Sequence, residues 1–310
     1  MRGLLTMEEI LPIPLLVPDN PYLGTCQANH PSIYKQRSAC GGISSPEQNT
    51  FWKLFNYLNL SIYSHYIYPP DQTKMTNLSD YRLLCFDVYG TLIDWESGII
   101  AALEPILSKS TTQFTRERLL TTYHDLESAQ QTATPDLPYS DLLSAIHPTL
   151  AARLGLNPPT EEESREFGNS VGTWPAFPDT VDALRRLSKH YKLVVLSNVD
   201  RASFAKSNAG SLQGVSFDMI LTAQDIGSYK PDLRNFEYML SAVQREFGVG
   251  PGQVLQTAQS QFHDHQPGRK VGIKSVWIER PGALMGNRGD PIFDWRFETL
   301  GQMADAVEAE

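Results

Sequence analysis

Four polar groups stand at the ends of apolar runs in this chain, and their types suit nucleophilic chemistry on a small molecule. Asp87 closes Leu83–Phe86 in "LLCFDVYGTLIDWESG" and is followed by Gly90 and Thr91. Ser197 and Asn198 close "KLVVLSN", Lys230 opens "KPD", and Asp264 sits inside "QFHDH". A carboxylate near an ammonium is held in its ionised, nucleophilic form. Hydroxyls and amides nearby bind an oxyanion. Each residue alone has an ordinary explanation, since a strand-end Asp or Ser commonly caps a helix or makes a turn. The ordered set is a stronger sign. In a parallel sheet the carboxyl ends of neighbouring strands lie side by side and open the crevice where such sheets bind ligands.

The elements that must position these groups read as an α/β alternation. Leu83–Phe86 and "YKLVVLSNVD" are apolar runs covered on both faces, the mark of a parallel sheet. "FDMILTAQDIG", "QVLQTAQSQFHDH" and "KSVWIER" supply a third, fourth and fifth strand. A helix begun by Pro178 and Asp179 buries Val181, Leu184 and Leu187. Another presents Phe236, Met239, Leu240, Val243 and Phe247 on one side and stops at Gly248. The alternation predicts a doubly wound, largely parallel sheet. Between the first two strands the chain is helical instead. Residues 98–109 carry Ile100, Leu103, Ile106 and Leu107 on one face, and the next segment carries Leu119, Leu120, Tyr123 and Leu126. Ser140 is read as the cap of a third segment that Pro148 interrupts, and Thr160 with Glu163 has capping-box spacing.

Composition narrows the function classes. A net charge of -9 argues against nucleic acid or an anionic membrane as partner. The opening residues, with Glu8, Glu9 and three prolines, make a poor secretory signal. The aromatic run 51–68 contains Lys53 and His65, so no membrane span is expected. Cys26, Cys40 and Cys85 have no metal-type spacing, and a buried Cys85 suits a reducing, cytoplasmic compartment. Residues 1–79, rich in Pro, Asn, Ser and Tyr, read as a poorly structured extension, and Met75 looks like a natural start for the domain.

"FDVYGTLID", "VVLSN", "YKPD" and the Asp264 segment, in that order, resemble the four motifs of the haloacid dehalogenase superfamily from about residue 80 to the C-terminus. Asp-x-Tyr-Gly-Thr-Leu resembles its L-2-haloacid dehalogenase (type II) branch. The resemblance implies a Rossmann-like core at 80–96 and 178–310, and an all-helical cap at 97–177. It also implies that Asp87 displaces a halide from a small carboxylate-bearing substrate and forms an aspartyl ester, which water then opens. Lys230 keeps Asp87 ionised, Asp264 orients Lys230 or the water, and Thr91 positions Asp87. Tyr89, Ser197, Asn198 and Ser260 face the substrate. No cofactor is required, and no partner beyond the substrate, a second copy of the chain apart. Phosphatases of the superfamily place a second aspartate two residues past the nucleophile to protonate the leaving alcohol. This chain has Tyr89, a phenol with a reference pKa of about 10. A halide needs no proton, so the residue fits the chemistry.

The sequence departs from that branch in its recognition residues. Tyr123 and His124 stand where a cap arginine is expected, Phe236 where a tyrosine is, and Gln259 and Gln261 where a Ser-x-Asn pair is. Four other readings compete. Magnesium held by Asp87, Asp264 and a backbone carbonyl would make a phosphatase-type hydrolase. Zinc at His263, Asp264 and His265 is disfavoured because adjacent side chains diverge. A receiver-type phosphoacceptor lacks the acidic pair ahead of its aspartate, and a non-catalytic binding protein leaves Asp87 and Lys230 unexplained.

Overall fold

In the computed structural model the described residues are 77–287 and 290–310. Cys26, Cys40, the 51–68 run, Met75 and all but the last three residues of the expected extension lie outside them.

Strand β1 (Leu83–Phe86) shows why an unbroken apolar run makes a central strand. Leu84 and Phe86 face one buried cluster, and Leu83 and Cys85 face a second on the opposite side. Strand β2 (Lys192–Ser197) divides the same way, Leu193 and Val195 against Val194 and Leu196. With β3 (Met219–Thr222), β4 (Val254–Ala258), β5 (Lys274–Ile278) and β6 (Trp295–Phe297), these form a parallel six-stranded sheet in the order β3-β2-β1-β4-β5-β6. Strand β1 has β2 on one side and β4 on the other, so the chain order reverses there. The crevice beyond its carboxyl end is where an open sheet of this kind binds ligands. Asp87 is the first residue past that end.

Helices follow every strand but β5, which leads through a loop into β6. Between β1 and β2 run α1 (Trp95–Leu107), α2 (Arg116–Ala133), α3 (Tyr139–Leu154), α4 (Glu161–Asn169) and α5 (Thr180–Leu187). Then come α6 (Arg201–Ala209), α7 (Ala223–Ile226), α8 (Leu233–Phe247), α9 (Gln266–Lys270) and α10 (Leu300–Ala309). Leu119, Leu120, Tyr123 and Leu126 are buried together on α2, and Thr160 with Glu163 closes the capping box of α4. Gly248 ends α8 in the left-handed conformation at φ 64°.

Four local readings need correction. Helix α1 starts earlier than its apolar stripe, because the Asp94 carboxylate accepts the Ser97 N–H at 3.0 Å; its buried face is Ile99, Leu103 and Ile106, with Ile100 and Leu107 at the margin. Ser140 lies inside α3 and gives its N–H to Asp200 Oδ2 at 3.1 Å, while Pro138 holds the cap position. Pro148 does not end α3, which continues to Gly155 because its apolar side stays buried at Leu142, Leu143, Ile146 and Leu150. The fourth strand stops at Ala258. Ser260 takes the His263 N–H at 3.1 Å and turns Gln261–His265 into a π-helical turn. No helix among the described residues is long and apolar enough to cross a membrane.

Candidate active site

The turn after β1 is built to aim one carboxylate. The amides of Thr91, Leu92 and Ile93 converge on the Val88 carbonyl, and Gly90 adopts φ 102°, a conformation that L side chains rarely take. Thr91, fully buried, donates from Oγ1 to Asp87 Oδ2 at 2.6 Å and accepts the Gln259 N–H at 2.9 Å. The other Asp87 oxygen, Oδ1, accepts from Lys230 Nζ at 2.9 Å.

Lys230 is the centre of the arrangement. Its ammonium is buried and gives its three protons to Asp87 Oδ1, to Asp264 Oδ1 at 2.7 Å and to the Leu196 carbonyl at 2.9 Å. Gln256 Nε2 adds a second donor to Asp264 Oδ1 at 2.9 Å. Burial opposes the charge on Lys230, but Asp264 and Asp87 together outweigh it and hold its pKa above the ordinary lysine value. The Asp264 carboxyl is raised to about 7, first by burial and also by Asp87, against the pull of Lys230. One ammonium shared between two carboxylates leaves the deeper one harder to ionise. Asp264 Oδ2 is buried with no hydrogen-bond partner.

The expected recognition residues meet at the same cavity, of about 80 Å³, whose walls include Tyr89, Ser197, Asn198 and Ser260. Their side chains are not equally free. Ser197 Oγ is buried without a partner. Asn198 donates from Nδ2 to the Lys230 carbonyl at 2.9 Å and accepts the Lys230 N–H at 2.7 Å. Its amide therefore holds the backbone of the lysine. The Ser260 hydroxyl is engaged with His263, both at the backbone N–H and at Nδ1, 3.2 Å away. Tyr89 shares a hydrogen bond with Ser207 Oγ at 3.0 Å and meets Trp174 edge-on; burial pushes its phenol well above the usual range.

The zinc reading does not find its ligands, and in the magnesium reading Lys230 takes one oxygen of each carboxylate. Asp87 and Asp264 turn their Oδ1 atoms to the same ammonium, so a cation of the chain itself lies between them. No group of three or more His, Cys, Asp and Glu suited to a metal occurs among the described residues. His263 meets Ser260, Asp264 meets Lys230, and His265 Nε2 donates to the Ala258 carbonyl at 2.9 Å, so the three side chains share no centre.

A family model described as haloacid dehalogenase-like hydrolase matches residues 81–255. The chain belongs to that family of hydrolases. The match spans β1, Asp87, Lys230 and the start of β4. The chain is 28% identical over 211 residues to the (S)-2-haloacid dehalogenase 4A of Burkholderia cepacia, covering 65% of this chain and 84% of that protein. It is 26% identical over 237 residues to the (S)-2-haloacid dehalogenase H-109 of Pseudomonas putida, covering 72% and 96%. Its fold superposes on the L-2-haloacid dehalogenase of Xanthobacter autotrophicus, solved with chloropropionic acid covalently bound. The TM-score is 0.61 at 16% identity, over 74% of this chain and 98% of that one.

The structure of this family member also uses residues that the sequence reading leaves unassigned. Gln259 Nε2 donates to the Met285 carbonyl at 2.9 Å, and Gln261 accepts the Ile292 N–H at 2.7 Å and gives its own N–H to Gly286. The two glutamines thus tie the loop that closes one side of the cavity. Glu96 accepts the Leu284 and Met285 amides from the other direction. Buried Arg280, at φ 52°, donates to the Thr91 carbonyl at 2.9 Å and to Asp179 at 2.6 Å, bracing the turn behind Asp87. On the wall contributed by α2, His124 Nδ1 lies 3.5 Å from Glu127, whose other oxygen accepts the Tyr139 hydroxyl. A Glu at i+3 from His124 and Tyr139 at the start of the next helix are the only sequence traces of this wall.

Proposed function

We propose that the chain hydrolyses the carbon–halogen bond of a small 2-halocarboxylic acid, with Asp87 as nucleophile and without a metal or cofactor. Asp87 attacks the halogen-bearing carbon, and the halide departs with the bonding electrons as the aspartyl ester forms. Lys230 pairs with the carboxylate before attack, and Thr91 and Asn198 hold the two partners in line. Ser197 Oγ and neighbouring backbone N–H groups receive the substrate carboxylate. Water then adds to the Asp87 Cγ, giving a proton to Asp264 Oδ2. The ester C–O bond breaks, the departing alkoxide takes that proton as the 2-hydroxy acid, and Asp87 releases its own proton to solvent. Residues 97–177 act as a cap over a core made of 80–96 and 178–310. The free, buried Cys85 thiol accords with work in the cytoplasm.

The observation that carries this reading is Tyr89. Burial raises the pKa of its phenol and its hydroxyl is committed to Ser207, so the position two past the nucleophile supplies no acid for an alcohol leaving group. Halide leaves without one. The (S)-2-haloacid dehalogenase relatives and the covalently bound chloropropionic acid of the Xanthobacter protein support the same route. Halide and phosphate release from panels of 2-halo acids and phosphate monoesters, each with and without magnesium, test it. Halide release with an ester adduct on Asp87 by mass spectrometry is expected, and Asp87→Asn abolishes both. Efficient magnesium-dependent phosphate release with no halide release overturns the reading.

A further inference from the structure

The reaction chamber opens into a second and larger cavity. The chamber itself is about 80 Å³, room for a head group of a few heavy atoms, whereas its neighbour is about 500 Å³, within the range of dedicated ligand pockets. The two share the walls His124, Gln131, Lys230, His263 and Gly286, so the larger cavity continues directly from the site of attack. Its cap side is formed by Ser128, Thr132 and Pro135, and its core side by Tyr229, Pro231 and Phe262. Phe262 is one of the few large apolar side chains left exposed, at 44%. It stands edge-on to His263, ring centroids 4.9 Å apart, in the same π-helical turn that sets Asp264. The two lysine and arginine cations on its walls are already paired, Arg234 with Asp232 at 2.8 Å and Lys230 with Asp87 and Asp264, so the cavity offers no free charge for an anionic tail.

We infer that this cavity is a subsite for the apolar part of the substrate, and that the enzyme acts on 2-halo acids bearing an aryl or medium-length alkyl substituent. The inference rests on the proposed reaction at Asp87 and names its substrate class. With the reacting carbon at Asp87 and the carboxylate at Ser197, the third substituent is the part with room to leave the chamber, past Lys230 and His263. There it meets the Phe262 ring and the two prolines. Apolar surface removed from water by that contact stabilises the bound acid. The cavity side remote from the chemistry then sets specificity through the ratio kcat/KM.

Two measurements on the full chain test the subsite. Halide release is followed for 2-chloropropionate, 2-chlorohexanoate and 2-chloro-3-phenylpropionate. Binding of the unreactive 2-hydroxy acids of the same three skeletons is followed by calorimetry. A rise of roughly tenfold or more in kcat/KM from the shortest to the phenyl acid is expected, given what small additions are worth in an apolar pocket. Phe262→Ala removes most of that rise and leaves 2-chloropropionate turnover unchanged. Thr132→Trp, filling the cavity from the cap, produces the same selective loss. Affinity for the hydroxy acids that climbs with the apolar substituent supports the subsite even if no halide is released, and in that case only the proposed reaction falls. Halide release and affinity that are flat or decline with substituent size overturn the subsite and leave the reaction standing. Absence of both release and binding overturns both.

Discussion

Lys230 decides whether the site is a nucleophile or merely two buried carboxylates. Its three protons are all placed, and its backbone is gripped on both polar atoms by Asn198. Lys230→Met is expected to lower halide turnover by three orders of magnitude or more, about the loss seen when one member of a catalytic unit is removed. Removing one partner of a buried charged group also destabilises by roughly 3–5 kcal/mol, because Asp87 and Asp264 are left facing each other. Lys230→Met with Asp264→Asn recovers much of that stability and none of the turnover, as urea midpoints and halide assays on the two variants would show. Asn198→Ala separates positioning from binding. With the lysine loosened, kcat falls about a hundredfold while KM changes little, the pattern of a misplaced catalytic group. A raised KM at unchanged kcat would instead make Asn198 a substrate ligand.

Short caps set the elements that carry these side chains, and two of them separate stability from catalysis. Thr160 caps α4, accepts the Glu163 N–H at 3.1 Å and does not line the cavity. Ser260 does the same for the π-helical turn, accepting the His263 N–H at 3.1 Å, and that turn carries Asp264. Each change to alanine removes a comparable bond and is expected to cost about 1 kcal/mol in urea unfolding. Thr160→Ala leaves kcat/KM unchanged. Ser260→Ala lowers it, because the turn that aims Asp264 at Lys230 loses its first hydrogen bond. Equal kcat/KM in the two variants would mean the turn holds its shape through Pro267 and the buried His265 alone. The strap from Gln259 and Gln261 to the 285–292 loop works at the same scale. Gln261→Ala frees the Ile292 end and should raise KM more than it lowers kcat.

Across the whole molecule, what the sequence made legible follows from burial. Strands β1 and β2 were readable because both their faces are covered, and the site because a parallel sheet brings strand ends together in chain order. Strand β6 was not, since Trp295 and Phe297 are only partly buried and Arg296 is exposed on a short edge. The Asn198 amide on Lys230 and the Arg280 brace on Thr91 join residues 32 and 189 positions apart, with no local pattern to reveal them. The π-helical turn was hidden because "QSQFHDH" runs on from "QVLQTA" with no glycine or proline to mark the end of the strand. It holds His265, buried, and His263, half-buried, which with His147 bear on acid stability. His147 on α3, stacked on Phe167, and His263 and His265 in the turn are each held at about 4 by burial, below the ordinary 6.5. Between those values the unfolded chain takes up protons that the folded one refuses, so each contributes stability that is complete above pH 6.5 and is lost as pH falls towards 4. Asp264 acts in the opposite sense. Its folded value of about 7 exceeds the ordinary 3.8, so the folded chain gains stability as pH drops through 7. Three histidines against one carboxyl give a net fall, and Tm should decline as pH is lowered from 6.5 to 4.5. His265→Gln keeps a donor for the Ala258 carbonyl, so Tm at pH 8 changes little while the acid slope becomes shallower. A Tm that holds or rises over that interval in the wild type would place the histidines in contact with water and remove their part in the balance.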